Sequence, residues 1–370
     1  MIRVLSVFGT RPEAIKMAPV VHALQQAPNS FESIVCVSAQ HRAMLDQVLG
    51  VFGLSADYDL DLMTSGQSPA EVTARVLERL PALLRQVRPD VLLVQGDTMT
   101  TFAAAFAAYL ERIPSGHVEA GLRTGDRYQP FPEEMNRVMT TRLASIHFAP
   151  TEQARSALLA EGVPASDVHL TGNTVIDALL QTVRPDYRFR SPKLAALDPG
   201  RRLVLITTHR RESFGAPLQS TCAAIRDLAE RFPDLQFVLP VHPNPEVKQT
   251  VERLLCDLAG MYLIDPVDYL EFVHLMNRSY LVLTDSGGVQ EEAPSLGKPV
   301  LVLREVTERP EGVQAGTAVV VGTNRERIVE MASKLLTSRD AYRKTANAVN
   351  PYGDGHASAR IATALAERFG

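Results

Sequence analysis

Residues 284–311 read TDSGGVQEEAPSLGKPVLVLREVTERPE, a dense run of groups able to hold an anion and a sugar. An apolar stretch ending at Leu283 passes into Thr284, Asp285, Ser286, Gly287 and Gly288, and an acidic helical start follows. Glycines let the backbone approach a ligand, and free amides at a helix N-terminus attract phosphate. Glu291 and Glu292, about one turn further in, can accept hydrogen bonds from sugar hydroxyls. The pattern points to a nucleotide-sugar site, although Gly-Gly after a strand is also an ordinary tight turn. The continuation favours the site. A second apolar run, residues 300–303, ends in Arg304 and is followed by Glu308, Arg309 and Pro310. Charges at two neighbouring strand ends suit the crevice at the carboxyl edge of a parallel sheet.

Other ionisable residues fall at similar places. Gly9, Thr10, Arg11, Pro12 and Glu13 end the first apolar run, and Lys16 follows about one turn into a helix, so Arg11 and Lys16 can offer cationic donors to a diphosphate. The alternative is an exposed, charged helix start. Asp97 ends another run in QGDT, where Asp commonly serves only as an N-cap. Glu119, in HVEAGLRTGD, precedes Gly121 with no helix to cap. Glu133, in PFPEEMNR, either faces a ligand or complements a helix dipole. His209 lies between two threonines and two arginines, surroundings unsuited to core filler, whereas His242 sits among prolines as a possible rigid-loop residue. No ligand pair has the spacing that divalent metals favour, and a GxSxG elbow is absent. Asp97, Glu119 and Glu133 with His209 suggest proton transfer.

The elements that must position these groups alternate short β-branched runs with longer helical ones, which argues for α/β units with parallel sheets. Strands are expected over 4–8, 34–38, 91–95, 116–119, 146–149 and 168–171, and again over 203–207, 237–241, 262–264, 280–284, 300–303 and 318–321. Between these sets, residues 182–202 are rich in Pro and charge and read as a linker with hinge character. The expected organisation is two Rossmann-like domains, 1–182 and 203–355, with an interdomain cleft and a last helix, 356–370, that crosses back to the first domain. A length of 370 residues accommodates two sizeable cores. Lys and Arg number 38 against 42 for Asp and Glu, a formal charge of -4, so no basic field invites nucleic acid. No apolar run approaches the ~20 residues of a membrane span, and the charged start differs from a signal peptide, so the expected compartment is cytoplasmic. Cys36, Cys222 and Cys256 are widely spaced and read as reduced core thiols.

Eight blocks carry a resemblance: GTRPEAIKMAPV, QGDTMTTF, HVEAGLRTGD, PFPEEMNR, TGNTVIDAL, TTHRRESFG, PVHPNP and TDSGGVQEEAPSLGKPVLVLREVTERPE, spread from about residue 8 to residue 323. In these the chain resembles the non-hydrolysing UDP-N-acetylglucosamine 2-epimerases. The resemblance implies a glycosyltransferase-B type architecture and interconversion of UDP-N-acetylglucosamine and UDP-N-acetylmannosamine through 2-acetamidoglucal, with no cofactor and no metal. It carries over Asp97, Glu119 and Glu133 as acid/base groups and His209 near the diphosphate. It also carries over Arg11, Lys16, Phe272, Ser286, Gly287, Gly288, Glu292 and Arg309 as substrate contacts, with Phe272 near the uracil. Some relatives take a second UDP-N-acetylglucosamine as activator, through residues matching Gln40, His41, Arg210 and His242. All four are present here, but a polar position is Ala43 and a basic one is replaced near Ser65 and Gly66. Ser213 stands where Asn is common. Family members are commonly homodimers. The competing readings are a hydrolysing epimerase releasing UDP and N-acetylmannosamine, a UDP-sugar glycosyltransferase, and a non-catalytic UDP-sugar binding module.

Overall fold

The computed structural model describes every residue except 39–41, 63, 65, 209 and 211–212, and describes 42–44 through their backbone alone. Two compact units are present: Met1–Gln181 with Tyr352–Gly370, and Thr182–Pro351.

The first unit is built on β1 (Ile2–Phe8), β2 (Phe31–Val37), β3 (Tyr58–Asp59), β4 (Val91–Gln95), β5 (Ser115–Val118), β6 (Ile146–Ala149) and β7 (Val168–Leu170), hydrogen-bonded in the order β3-β2-β1-β4-β5-β6-β7. The second is built on β8 (Leu203–Thr207), β9 (Gln236–Pro240), β10 (Met261–Ile264), β11 (Leu281–Thr284), β12 (Val300–Val302) and β13 (Ala318–Val320), in the order β10-β9-β8-β11-β12-β13. Every recorded pairing is parallel. The central strands are buried along their whole length and therefore read as continuous apolar runs. Each is thus a doubly wound α/β unit with a parallel sheet. The expected strands agree with the observed ones to within a few residues at each end. The two-residue β3 escaped the sequence because it is too short to carry a period.

In both sheets the strand order reverses once, between β1 and β4 and between β8 and β11. Loops leaving those neighbouring strands diverge to opposite faces and open a crevice at the carboxyl edge. Arg11, Asp97, Arg210, Ser286, Gly287 and Gly288 lie close after the strands at these two points.

Segment 182–202 departs from its expected linker character. Arg184 N donates to His274 Nε2 at 2.9 Å, and Arg190 N and Ser191 N donate to Glu271 Oε1 at 2.5 and 3.1 Å. The Tyr187 ring stacks on His274 with centroids 3.8 Å apart. These groups fasten the segment to the helix Tyr269–Arg278 within the second unit, because buried His274 and Glu271 need polar partners. Of the cysteines, Cys36 and Cys222 are buried, and burial pushes each thiol up to about 12. Cys256 is exposed, contrary to the core position expected of it. Among the described residues, no helix is long and apolar enough to cross a membrane.

The helix Ala357–Phe369 joins the first unit through Asp177, which is buried and accepts from Ala357 N at 3.1 Å, Ser358 N at 2.8 Å and Ser358 Oγ at 2.6 Å. Asp177→Ala should orphan these donors and destabilise the first unit by roughly 2 to 4 kcal/mol. A thermal melt should show its transition lowered by about 5 to 10 °C. An unchanged melt would refute the anchoring role.

Candidate active site

The carboxyl edge of the first sheet is organised around Glu13. Thr10 N-caps the helix Arg11–Gln25, and Glu13 closes the capping box. Its carboxylate is buried and accepts from Gly9 N at 3.0 Å, Thr10 N at 2.7 Å, Thr98 Oγ1 at 2.6 Å and Thr101 Oγ1 at 3.1 Å. One acid therefore ties the end of β1 to the end of β4. A Cβ at Gly9 would lie 1.8 Å from Ser38 Oγ and 3.2 Å from Thr100 Oγ1, so a larger residue here would need those hydroxyls to give way. Arg11, next along, is exposed.

Beyond β4, Gly96 adopts φ 74 and turns the chain into Asp97. Capping of the helix Met99–Leu110 falls to Thr98, whose hydroxyl accepts from Thr101 N, so the N-cap reading of Asp97 does not hold. Asp97 instead receives Arg137 Nη2 at 2.6 Å, while Asn136 Nδ2 donates to its backbone oxygen at 2.9 Å. Arg137 also reaches Glu134 at 3.3 Å, and Glu134 accepts from Thr124 N and Gly125 N, both at 3.1 Å. Glu133 is half-buried at the start of the helix Glu133–Leu143, which also carries Glu134 and Arg137, and has no side-chain hydrogen bond or ion pair among the described residues.

Glu119 follows β5 with φ 64, a left-handed backbone that costs a non-glycine residue about 1 kcal/mol or more and is sustained by its surroundings. Its buried carboxylate receives Lys16 Nζ at 2.7 and 2.6 Å, Asn173 Nδ2 at 2.9 Å, and the Gln95 side-chain amide. Lys16, expected as a phosphate donor, is thus also the counter-charge of Glu119. His117 Nε2 donates to Gly96 O at 2.7 Å and so braces the turn before Asp97. Burial lowers His117 to about 3, and lowers its cross-strand neighbour His147 to about 4.

At the second sheet, Asp285 takes the corresponding place. It is buried after β11 and accepts from Arg210 N and Ser213 Oγ, both at 3.0 Å, which joins the loop after β8 to the loop after β11. Ser213, the departure noted in the sequence, supplies that hydroxyl. The helix Gly287–Ser295 begins on the two glycines, with Ser286 at its N-cap. A Cβ at Gly287 would lie 3.8 Å from Arg210 Nη2 and 3.9 Å from Arg309 Cζ, so two guanidinium groups flank this helix start. Glu308 pairs with Arg210 at 3.3 Å and Arg304 at 3.4 Å. Burial tends to raise its carboxyl, yet Arg210, Arg304 and Arg309 outweigh that and hold it below the ordinary value. Guanidinium groups thus converge beside this helix start, as an anionic ligand needs.

Glu291, first read beside Glu292 as a sugar acceptor, is engaged by Arg309 Nε. Glu292 lies 3.6 Å from where a Gly288 Cβ would stand and 3.5 Å from the Tyr269 hydroxyl. Burial, reinforced by Glu292, raises the Tyr269 phenol well above its ordinary value and keeps it a neutral donor. Phe272 is half-buried on the helix Tyr269–Arg278. His242 accepts from Asn244 N through Nδ1 at 3.1 Å and tilts against Phe214, with centroids 5.8 Å apart. His209, Gln40 and His41 lie outside the described residues. Gln95 and Asn173 were passed over in the sequence as site residues. Both stand in motif blocks beside candidate acids, but an amide has no charge to draw attention.

The sequence profile of the UDP-N-acetylglucosamine 2-epimerase family matches residues 22–366. A Yersinia pestis protein named UDP-N-acetylglucosamine 2-epimerase is 56% identical over 370 residues, covering 98% of each chain. A UDP-GlcNAc 2-epimerase from Neisseria meningitidis, solved bound to UDP-GlcNAc, is 47% identical with TM-score 0.87, covering 99% of this chain and 100% of that one. An S. aureus protein solved with UDP is 46% identical with TM-score 0.87, covering 98% and 95%.

The neutral histidines make stability depend on pH. Each binds a proton near 6.5 once unfolded, but only at about 3 (His117) or about 4 (His147) when folded, so unfolding takes up protons below 6.5. Their contribution is complete above pH 6.5 and is lost as the pH falls from there toward about 3. Denaturant melts between pH 7 and 5 should show this decline, and His117→Gln, which retains a donor for Gly96, should flatten it. Equal slopes for parent and variant would contradict the assignment.

Proposed function

The chain belongs to the UDP-N-acetylglucosamine 2-epimerase family, and on that premise we propose that it interconverts UDP-N-acetylglucosamine and UDP-N-acetylmannosamine without hydrolysis. The observation that carries the reading is the carboxyl edge of the first sheet, where Asp97 and Glu119 follow adjacent strands and each faces a bound cation, Arg137 or Lys16. An acid cluster of this kind has no use in a site that only binds a nucleotide. It suits removal of a weakly acidic carbon-bound proton, which needs a base held in place.

On this reading a carboxylate takes the proton from carbon 2 of the sugar. The electron pair of that bond forms the double bond between carbons 1 and 2, the bond from carbon 1 to the diphosphate oxygen breaks, and UDP leaves with its electrons. Reprotonation of 2-acetamidoglucal on the opposite face and return of UDP complete the exchange. Asp97, Glu119 and Glu133 are the acid/base groups, with His209 near the departing oxygen. Ser286, Gly287 and Gly288 offer hydroxyl and amide donors to phosphate, and Arg309 adds the charge that a leaving diphosphate requires. Glu292 accepts from ribose hydroxyls and Phe272 lies against the uracil, while Arg11 and Lys16 are further cationic contacts.

Incubation with UDP-N-acetylglucosamine in deuterated water should give an intact mixture of both UDP-sugars labelled at carbon 2, as followed by NMR. Free N-acetylmannosamine with UDP would replace this reading by the hydrolysing one, and an unlabelled, unchanged substrate would defeat both. Asp97→Asn, Glu119→Gln and Glu133→Gln should each reduce exchange by about a hundredfold or more while UDP still binds.

The proposal extends to activation by a second UDP-N-acetylglucosamine through Gln40, His41, Arg210 and His242. Added UDP-N-acetylglucosamine should then stimulate the reverse reaction. Hyperbolic kinetics in both directions without stimulation would rule this out.

A further inference from the structure

The groups around Glu119 support a finer assignment, which rests on reading that residue as an acid/base group. We propose that Asn173 and Gln95 are positioning residues that fix the rotation of the Glu119 carboxylate, each through an amide hydrogen bond to a different oxygen. Asn173 Nδ2 donates to Oε1 at 2.9 Å, and Gln95 Nε2 donates to Oε2. Both side chains are almost wholly buried, at 3% and 2% exposure, so neither bond competes with bulk water.

The Asn173 amide, and the backbone from which the Gln95 side chain leaves, are themselves held. Asn173 Oδ1 accepts from Val175 N at 3.2 Å at the start of the helix Thr174–Thr182, and Asn173 N donates to Tyr352 O at 2.6 Å. Because the oxygen must face the Val175 amide, the NH2 group must face Glu119. Gln95 is the last residue of β4, and its carbonyl is tied to Thr101 Oγ1 at 2.6 Å. Lys16 lies at 2.7 and 2.6 Å from the same carboxylate, but an ammonium on a flexible stem neutralises charge without setting a plane. Amides on both oxygens do set one. A base whose carboxylate plane keeps a constant direction can meet a carbon-bound proton in line, and errors of about half an ångström are costly in such transfers.

Asn173→Asp tests this with little change of shape. Aspartate keeps the oxygen that receives Val175 N, and it is a good helix-capping residue, but it sets a second carboxylate against Oε1. Lys16 remains the facing cation, and His117, neutral, adds no charge. The variant should keep the parent's circular dichroism spectrum and bind UDP within about threefold of the parent. Its carbon 2 deuterium exchange should fall by about a hundredfold, and the acid limb of its pH–rate profile should move to higher pH, because a like charge opposes ionisation of Glu119. Gln95→Met removes the other donor without adding charge, and it should lower exchange with a smaller shift of the limb. It decides the matter if Asn173→Asp does not fold. A folded variant that exchanges at the parent's rate with the parent's pH profile would overturn the assignment and leave the amides a purely structural role. Absence of exchange by the parent itself would instead overturn the functional reading beneath it.

Discussion

A buried carboxylate at the point where a parallel sheet reverses its strand order is the interaction on which each unit depends. At that point two loops part company, and their first amides would be left without partners in a dry crevice. Glu13 answers this in the first unit by accepting from Gly9 N and Thr10 N on one loop and from Thr98 and Thr101 on the other. Asp285 answers it in the second by accepting from Arg210 N and Ser213 Oγ. Neither acid is free to meet a ligand. They hold fixed the loops from which Asp97, Arg210, Ser286 and Gly287 project, so the candidate groups inherit the rigidity of the sheets.

The two edges differ in their charged groups as their proposed tasks differ. In the first unit Glu119 faces Lys16 and Asp97 faces Arg137, so each of these two acids meets a cation. In the second, Arg210, Arg304 and Arg309 converge on Glu308 and overcome its burial, which keeps that carboxyl ionised among them. Paired acids held in place suit proton movement, and converging guanidinium groups suit holding a diphosphate. A net charge of -4 for the whole chain conceals both.

The positions of the strands along the chain and the glycine-led helix start were legible because both leave local marks: apolar runs buried on two faces, and Gly287 and Gly288 directly after one of them. The same local logic placed Asp97 and Glu119 just after strands. Their partners were not legible, because Lys16 and Glu119 are 103 residues apart and Asn173 and Glu119 are 54 apart, distances that no periodicity spans. The choice of Thr98 over Asp97 as the cap also escaped, since both residue types cap well and only the backbone decides which one occupies the position. The attachments of segment 182–202 are hidden from the sequence for a related reason. Its Pro and charge content resembles a free connector, while the groups that fasten it, Glu271 and His274, come some 80 and 90 residues later.

The first unit is discontinuous, closing only when Tyr352–Gly370 returns to it. During synthesis Asp177 emerges 180 residues before Ala357, the amide that it caps. At about 5 to 20 residues per second, that buried acid waits on the order of 10 to 40 s without its helix. Throughout that interval the whole second unit, Thr182–Pro351, leaves the ribosome and is able to fold as an uninterrupted stretch of chain. The later half of the molecule is therefore the one placed to mature first, with the half bearing the candidate acids completed last.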